Sequence, residues 1–335
     1  MRKLSKALAI VLSIALVCVF AAGCGQQKSE PSQQPEGSGA AEPMKIGIIQ
    51  YTEHVALDSA REGFLEALEE NGYKDGENVT IDFQNAQNDP SNLATISKSF
   101  VSKNVDLVLG IATPAVQSIA GETEEIPVVG TAVTDYVVAK LAKSDDAPGY
   151  NVTGTSDMNP IEEQIALLKQ LCPEAKTVGV LYTSSEDNSV LQAGLAKEYI
   201  EAAGLEYVEV TVTGTNDVQQ ATQSIVKKCD AIYIPTDNTF ASAMPTVYGV
   251  VTESKTPVIC GESGMVEAGG LATLGINYHD LGYQTGLMAI KILKGEADPA
   301  TMPIEKATKF DYVINKEFAE AIGLEVPADL QQYVK

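Results

Sequence analysis

Residues 105–120 read VDLVLGIATPAVQSIA. Val105–Gly110 is an apolar run broken only by Asp106, of the kind buried on both faces of a parallel sheet. It leads into Ala112-Thr113-Pro114, where a hydroxyl stands at the cap and a proline at the first turn of a helix predicted to run from Pro114 to about Ala120. Strand, short turn and helix form the repeating unit of doubly wound α/β folds.

The same unit recurs on either side. Lys45–Ile49 reads as a strand, and Leu57, Ala60, Phe64, Leu65 and Leu68 follow at helical spacing until Asn71-Gly72 closes the helix. Val79–Phe83 is the next strand. Asp89-Pro90 then opens a helix carrying Leu93, Ile96, Phe100 and Val101, and Pro127–Gly130 is a further strand. Past a join at Thr153–Asp157 the pattern restarts with helix Ile161–Leu171, strand Thr177–Tyr182, helix Val190–Ala203 and strand Glu206–Val212. Helix Val218–Lys228, strand Ala231–Ile234, a helix over about Ala241–Glu253 and strand Pro257–Cys260 complete it. Strand Leu271–Leu274 and helix Leu281–Leu293 are read as returning to the first unit, with Lys309–Val313 rejoining the second. The expected fold is α/β, with two doubly wound parallel-sheet lobes. Their ranges are set at 44–155 with 276–304, and 156–275 with 305–335. Leu271–Leu274 therefore sits on the boundary, first unit by element order and second by range.

Ahead of the folded part, Arg2, Lys3 and Lys6 precede the uncharged apolar stretch Ala7–Phe20, and Ala21-Ala22-Gly23-Cys24 follows. A charged start, an apolar centre and small residues are the marks of a secretory signal, here 1–23. The last four residues resemble a bacterial lipobox, which makes Cys24 the lipidation site and places the protein outside the cytoplasm on a lipid anchor. A retained membrane helix is the alternative, but the apolar run is shorter than the roughly 20 residues that spanning requires. Residues 24–43 contain Gln, Ser, Pro, Gly and Glu without a large apolar side chain, as in a flexible tether.

The formal charge is −22, with the leader contributing +3, so the remainder carries −25. That argues against nucleic acid, whose binding depends on Lys and Arg neutralising phosphates. Beyond the leader, Cys172, Cys229 and Cys260 fit no zinc spacing and read as buried thiols.

Ligands of open parallel sheets gather at the carboxyl ends of the strands. Here those ends carry Tyr51-Thr52-Glu53-His54, Ala112-Thr113-Pro114 and Thr131-Ala132-Val133-Thr134-Asp135 in the first unit. In the second they carry Ser184-Ser185-Glu186-Asp187-Asn188, Thr236-Asp237-Asn238 and Gly261-Glu262-Ser263. Each triplet alone reads equally well as a helix cap. Six on facing rims suggest a cleft. The N–H groups of Ala115 and Val116 at the start of the Pro114 helix are candidates for holding an anion. After the leader there is one arginine, Arg61, inside a helix, so no guanidinium cluster serves a phosphate or dicarboxylate. A monocarboxylate on Thr113, Thr134 and backbone N–H groups fits, and Glu186, Asp237 and Glu262 are available to an ammonium. Together these describe an α-amino acid.

Catalytic readings find less support. No P-loop or dinucleotide fingerprint appears, and His54 and His279 belong to no metal motif. Gly261-Glu262-Ser263-Gly264-Met265 departs from a nucleophile elbow at its last position. No catalytic residue, metal or cofactor is expected.

The loops QYTEH (50–54), ATPA (112–115), AVTD (132–135), GTSD (154–157) and TDN (236–238), with the leader and the order of elements, resemble the ABC-transporter substrate-binding lipoproteins related to the tryptophan-binding TrpX proteins. The resemblance covers nearly all of Met44–Leu330. It implies a type I periplasmic-binding-protein fold with three hinge crossings, partnered by ABC permease and ATPase subunits. It also implies that Thr113, Ala115 and Thr134 hold the ligand carboxylate, and that Glu262 holds the ammonium, with Asp237 as the rival. Tyr51, Asp135, Ser185, Asn188 and Asn238 complete the candidate contacts. Tyr51, Tyr136, Phe240 and Tyr278 stand on or near the rims for an aromatic side chain, at about 0.5–1.5 kcal/mol per good pair. The expected function is that of a monomeric solute receptor for a small, aromatic amino acid. A sugar or nucleoside receptor of the same fold is the alternative, and an exported hydrolase the more distant one.

Overall fold

The structure, a computed structural model, describes residues 42–335. The expected signal, Cys24 and most of the tether lie outside that range. The first lobe opens with β1 (Met44–Gln50), α1 (Val55–Glu70), β2 (Val79–Asn85), α2 (Pro90–Ser102), β3 (Leu107–Ile111), α3 (Thr113–Ala120), β4 (Val128–Val133) and β5 (Val152–Ser156). The chain then crosses to α4 (Ile161–Leu171), β6 (Thr177–Thr183), α5 (Asp187–Ala202), β7 (Glu206–Val212), α6 (Val218–Ile225) and β8 (Ala231–Ile234). The second lobe continues through α7 (Asn238–Ser242), α8 (Met244–Ser254), β9 (Val258–Cys260), α9 (Ser263–Glu267) and β10 (Ala272–Gly275). A return supplies α10 (Tyr278–Leu293) and β11 (Glu305–Lys306), after which β12 (Asp311–Ile314) and α11 (Lys316–Ile322) rejoin the second lobe.

Two six-stranded sheets result, ordered β11-β5-β4-β3-β1-β2 and β12-β10-β9-β8-β6-β7. All neighbouring pairs are parallel except β10 with β12. Each sheet reverses its winding at its first strand, β1 or β6, and the crevice above such a switch point is where these folds bind ligands. Every residue of β3, β4, β8 and β9 is buried, which accounts for their predominantly apolar character. Each sheet has its own apolar core.

The structure departs from the sequence reading at several points. The strand at 271–274 belongs to the second sheet, between β9 and β12, so of that strand and the helix after it only the helix, α10, returns to the first lobe. The segment expected to leave the first lobe at 305 still contributes β11 there, paired with β5 through Glu305 and Lys306. Residues 153–157, read as a join, include most of β5. Its Val-Thr-Gly-Thr-Ser sequence lacks the apolar run of its neighbours because its threonines bond other elements. Thr153 Oγ1 donates to the Met302 carbonyl at 2.8 Å, and the Thr155 and Thr285 hydroxyls lie 2.8 Å apart. The single helix expected over 241–253 is split at Ala243, with Pro245 in the first turn of α8.

Candidate functional site

A small, tightly closed cavity, about 10 Å³ in volume, lies between the two rims. The first lobe lines it with His54 and Leu57 at the start of α1, Ala132 near the end of β4 and Thr134 just past it, Asp157 beyond β5, and Tyr278 opening α10. The second lobe supplies Asn188 from α5, Thr236 and Asp237 beyond β8, Asn238 and Ala241 from α7, and Glu262 beyond β9. Contacts bridge the lobes around it. Gln117 Nε2 donates to Asp187 Oδ2 at 2.9 Å, Asn88 Nδ2 to Thr239 Oγ1 at 3.2 Å, and Gln192 Nε2 to Thr134 Oγ1 at 3.2 Å. The conformation is therefore closed.

Five of the ten sequence-nominated residues are brought together here: Thr134, Asn188, Asp237, Asn238 and Glu262. Five line no part of the cavity. Ser185 is exposed. Asp135 turns back to accept from the Val137 and Val138 N–H groups at 2.9 and 2.8 Å. The Ala115 and Val116 N–H groups, expected to be free, both bond the Ala112 carbonyl, at 3.0 and 3.2 Å. Ala112, not Thr113, caps α3, and Thr113 Oγ1 is buried without a partner. Tyr51 lies close enough to Glu186 and Asp237 that their charges, after burial, raise its phenol. Of the other aromatic candidates, Tyr136 donates into its own lobe, to the Gly130 and Thr155 carbonyls, and Phe240 packs in the second core.

Two backbone features shape the rim. Ala112 has φ of +81° and Ala132 φ of +55°, positions that non-glycine residues rarely occupy. They stand at the ends of adjacent strands, β3 and β4, and the β4–β5 register slips between Gly130 and Val133. Such irregularities recur where a sheet edge is re-aimed toward a ligand. Alanine at both positions left no sign of this in the sequence.

Charge in the cavity is one-sided. Asp157, Asp237 and Glu262 line it, and Glu186 stands behind Asn238; all four are nearly inaccessible. Among the described residues the lone guanidinium, of Arg61, is committed elsewhere. It bonds Gln50 at 2.6 Å and Asp58 at 3.1 Å, and lies over the Phe83 ring. Burial accordingly raises all four carboxyls, Glu262 to about 7, with Asp237's charge also raising Glu186. Burial also lowers the His54 imidazole to about 4, so the ring is neutral. No group of three His, Cys, Asp or Glu among the described residues is arranged to hold a metal.

Three of the four acids already serve as caps. Asp237 accepts from Thr183 N and Oγ1 at 2.6 and 2.8 Å, and from Phe240 N at 2.9 Å. Glu186 accepts from Asn238 Nδ2 at 2.6 Å and from Thr239 Oγ1 at 2.9 Å. Glu262 caps α9 with both oxygens, on the Gly264 and Met265 N–H groups. Asp157 differs. Its Oδ2 accepts from the Tyr278 hydroxyl at 2.8 Å, while buried Oδ1 has no partner. Asn188 Oδ1 and His54 Nδ1 are likewise buried and unpartnered. In the sequence Asp157 stands out only as the end of GTSD and of the join, although Ser156-Asp157 is the same hydroxyl–acid pair at a strand end that marks the other candidate loops.

The caps give a pH dependence with a definite sign. Glu262 in the folded chain keeps a proton that the unfolded chain releases above about 4.5, so its contribution to stability falls as pH rises from about 4.5 to about 7. His54 acts oppositely, its contribution being lost as pH falls from 6.5 toward about 4. Glu262→Gln deletes only the first effect. The melting temperature of the unliganded variant, relative to the parent, should therefore rise between pH 5 and pH 7, by on the order of 2–3 kcal/mol in stability. A difference that is flat across this range would mean that Glu262 ionises normally.

Two discontinuous α/β lobes, three crossings and a closed polar cavity between carboxyl-terminal strand edges define a solute receptor of the type I periplasmic-binding-protein class. The chain belongs to the ABC transporter substrate binding protein family, whose model matches residues 45–335. It is 40% identical to a tyrosine-binding protein of Clostridioides difficile, over all of this chain and 97% of that one. Among solved structures, a Streptococcus pneumoniae ABC domain in complex with L-Trp is 43% identical, with TM-score 0.85 over 88% of this chain and 100% of that one. A ligand-free, open substrate-binding protein with adhesive properties from Clostridium difficile is 47% identical, covering 87% of this chain and 98% of that one, yet scores 0.66. Sequence distance does not separate those two scores. The second of those structures is an open one, whereas the bridging contacts show the present chain closed.

Proposed function

We propose that this chain is the extracytoplasmic receptor of an ABC importer and that it closes on an aromatic L-amino acid. The observation that carries the reading is the pair of unpaired buried acceptors, Asp157 Oδ1 and Asn188 Oδ1, in a cavity whose charged side chains are all acidic. Buried acceptors without donors are costly. A ligand ammonium supplies both the donors and the missing positive charge. Asp157 takes the role first given to Glu262, with Asn188 beside it, while Thr134 and the bent end of β4 face the carboxylate. Asp237, Asn238 and Glu262 shape the opposite wall. The aromatic class is supported by the ligands named for the tyrosine-binding relative and the L-Trp complex.

Because the ligand touches both lobes, its binding favours the closed state, which the permease and ATPase subunits then read. No bond is made or broken in this reading. The monomeric protein hangs from the membrane by lipid on Cys24.

A thermal-shift panel of amino acids, sugars and nucleosides, run on protein unfolded and refolded to remove carried-over ligand, tests the reading. Ligand at 100 times its Kd adds about 2.7 kcal/mol, several degrees here. Shifts with L-Trp, L-Tyr or L-Phe, and recovery of the amino acid unchanged, are expected. A shift with a sugar or nucleoside alone would overturn the assignment.

A further inference from the structure

His54 lies at the start of α1, on the cavity wall opposite α7, and does not cap its own helix. Its protonation can be read from its neighbours. Glu186 accepts from the Asn238 side-chain nitrogen at 2.6 Å, which fixes the amide with its NH₂ toward Glu186. The Asn238 oxygen then faces His54 Nε2 at 3.4 Å. An oxygen there requires Nε2 to carry the hydrogen. In a neutral imidazole, Nδ1 is then a bare acceptor. That nitrogen is buried and has no partner in the protein. One turn further along the two helices, Leu57 and Ala241 supply apolar lining. The chain of contacts from Glu186 through Asn238 and His54 thus ends in one uncommitted lone pair beside an apolar wall.

Building on the aromatic amino-acid reading, we infer that His54 Nδ1 is the specificity-determining acceptor for a side-chain donor on the ligand, an indole N–H or a phenol O–H. The receptor accordingly ranks tryptophan and tyrosine above phenylalanine. The reason is less the gain of a bond than the cost of its absence. Closing on phenylalanine removes Nδ1 from water and gives it nothing, and sites built around a polar partner discriminate strongly against ligands that lack it. The neutral ring fits this role, since a protonated one would offer a second donor where an acceptor is needed.

Calorimetric titration of the full folded chain with L-Trp, L-Tyr and L-Phe gives the ranking without any variant. The better of L-Trp and L-Tyr should bind at least about tenfold more tightly than L-Phe. In His54→Leu that preference should collapse to within about threefold, through weaker binding of the donor-bearing ligand and not of L-Phe. His54→Gln, which keeps an acceptor, should retain part of it. Equal affinity for L-Phe in the parent protein, or a preference undiminished in His54→Leu, overturns the role of His54 while leaving the aromatic reading in place. Failure of all three amino acids to bind overturns both.

Discussion

Asp157→Asn is expected to weaken binding of L-Trp or L-Tyr by at least about 30-fold and to leave the unliganded protein at least as stable as before. The substitution keeps the shape of the side chain and an oxygen for the Tyr278 hydroxyl, now 2.8 Å from Oδ2. What it removes is a charge that burial already makes unfavourable, as the raised carboxyl shows. The folded chain alone loses little. In the complex, by contrast, the ammonium would be buried opposite a neutral amide whose NH₂ competes with it as a donor. Breaking a buried, hydrogen-bonded charge pair from one side costs about 2–5 kcal/mol, which is roughly 30-fold to several thousandfold in Kd. Calorimetry with L-Trp and L-Tyr, alongside melts without ligand, separates the two consequences. If affinity held within threefold, the ammonium would have to pair elsewhere, with Glu262 as the next carboxylate in the cavity. A comparison with the deaminated acid of the same side chain sharpens the reading, because the variant should lose the advantage of the amino group.

Gly282→Ala is expected to lower the melting temperature by several degrees, although alanine is the better helix former by about 0.8–1.0 kcal/mol. Gly282 lies within α10 where that helix packs on α1. A Cβ there would stand 1.9 Å from the Ala60 carbonyl oxygen. The contact is reciprocal, since a Cβ on Gly63 of α1 would stand 2.0 Å from the His279 carbonyl oxygen. Both obstacles are backbone, so no rotamer change relieves them and the helices must separate. Overpacking of this kind costs about 1–3 kcal/mol and sometimes more, which outweighs the propensity gain. Gly194→Ala in α5 is the control, because its Cβ would meet nothing within 4 Å. That variant should melt at or above the parent. A Gly282→Ala protein that did the same would mean that the α1–α10 contact is looser than described. Because α10 also presents Tyr278 to Asp157, the destabilised variant should bind its ligand less tightly.

Much of the architecture was legible because burial on both faces leaves a plain record. The apolar strands at 45–49, 105–110, 127–130, 177–182 and 231–234 were recognised for that reason. Pairing partners were less accessible. The segment at 271–274 is as apolar as its neighbours, and nothing local says which sheet it completes. Assignment to β9 and β12 follows from the backbone bonds that form once the lobes are built. Strand β5 was missed because it satisfies its polar side chains across elements far apart in sequence, as Thr153 does with Met302.

The candidate site divides along the same line. A carboxylate after a parallel strand looks the same whether it caps the next helix or waits for a ligand. Asp237, Glu262 and Asp157 could therefore be told apart only by counting the donors around each. The first two meet backbone N–H groups two or three residues ahead, a local effect. The third is satisfied on one side by Tyr278, 121 residues away, and left open on the other.

By itself, then, the sequence determined that the chain forms two α/β lobes whose facing rims carry hydroxyls and acids, because strand burial, helix periodicity and caps are local or periodic properties. Tertiary structure alone decided which acid is free, which histidine nitrogen is bare, and where two helices touch so closely that only glycine fits. Each of those depends on atoms that distant segments bring within a hydrogen bond or a van der Waals contact, and no spacing along the chain encodes that distance.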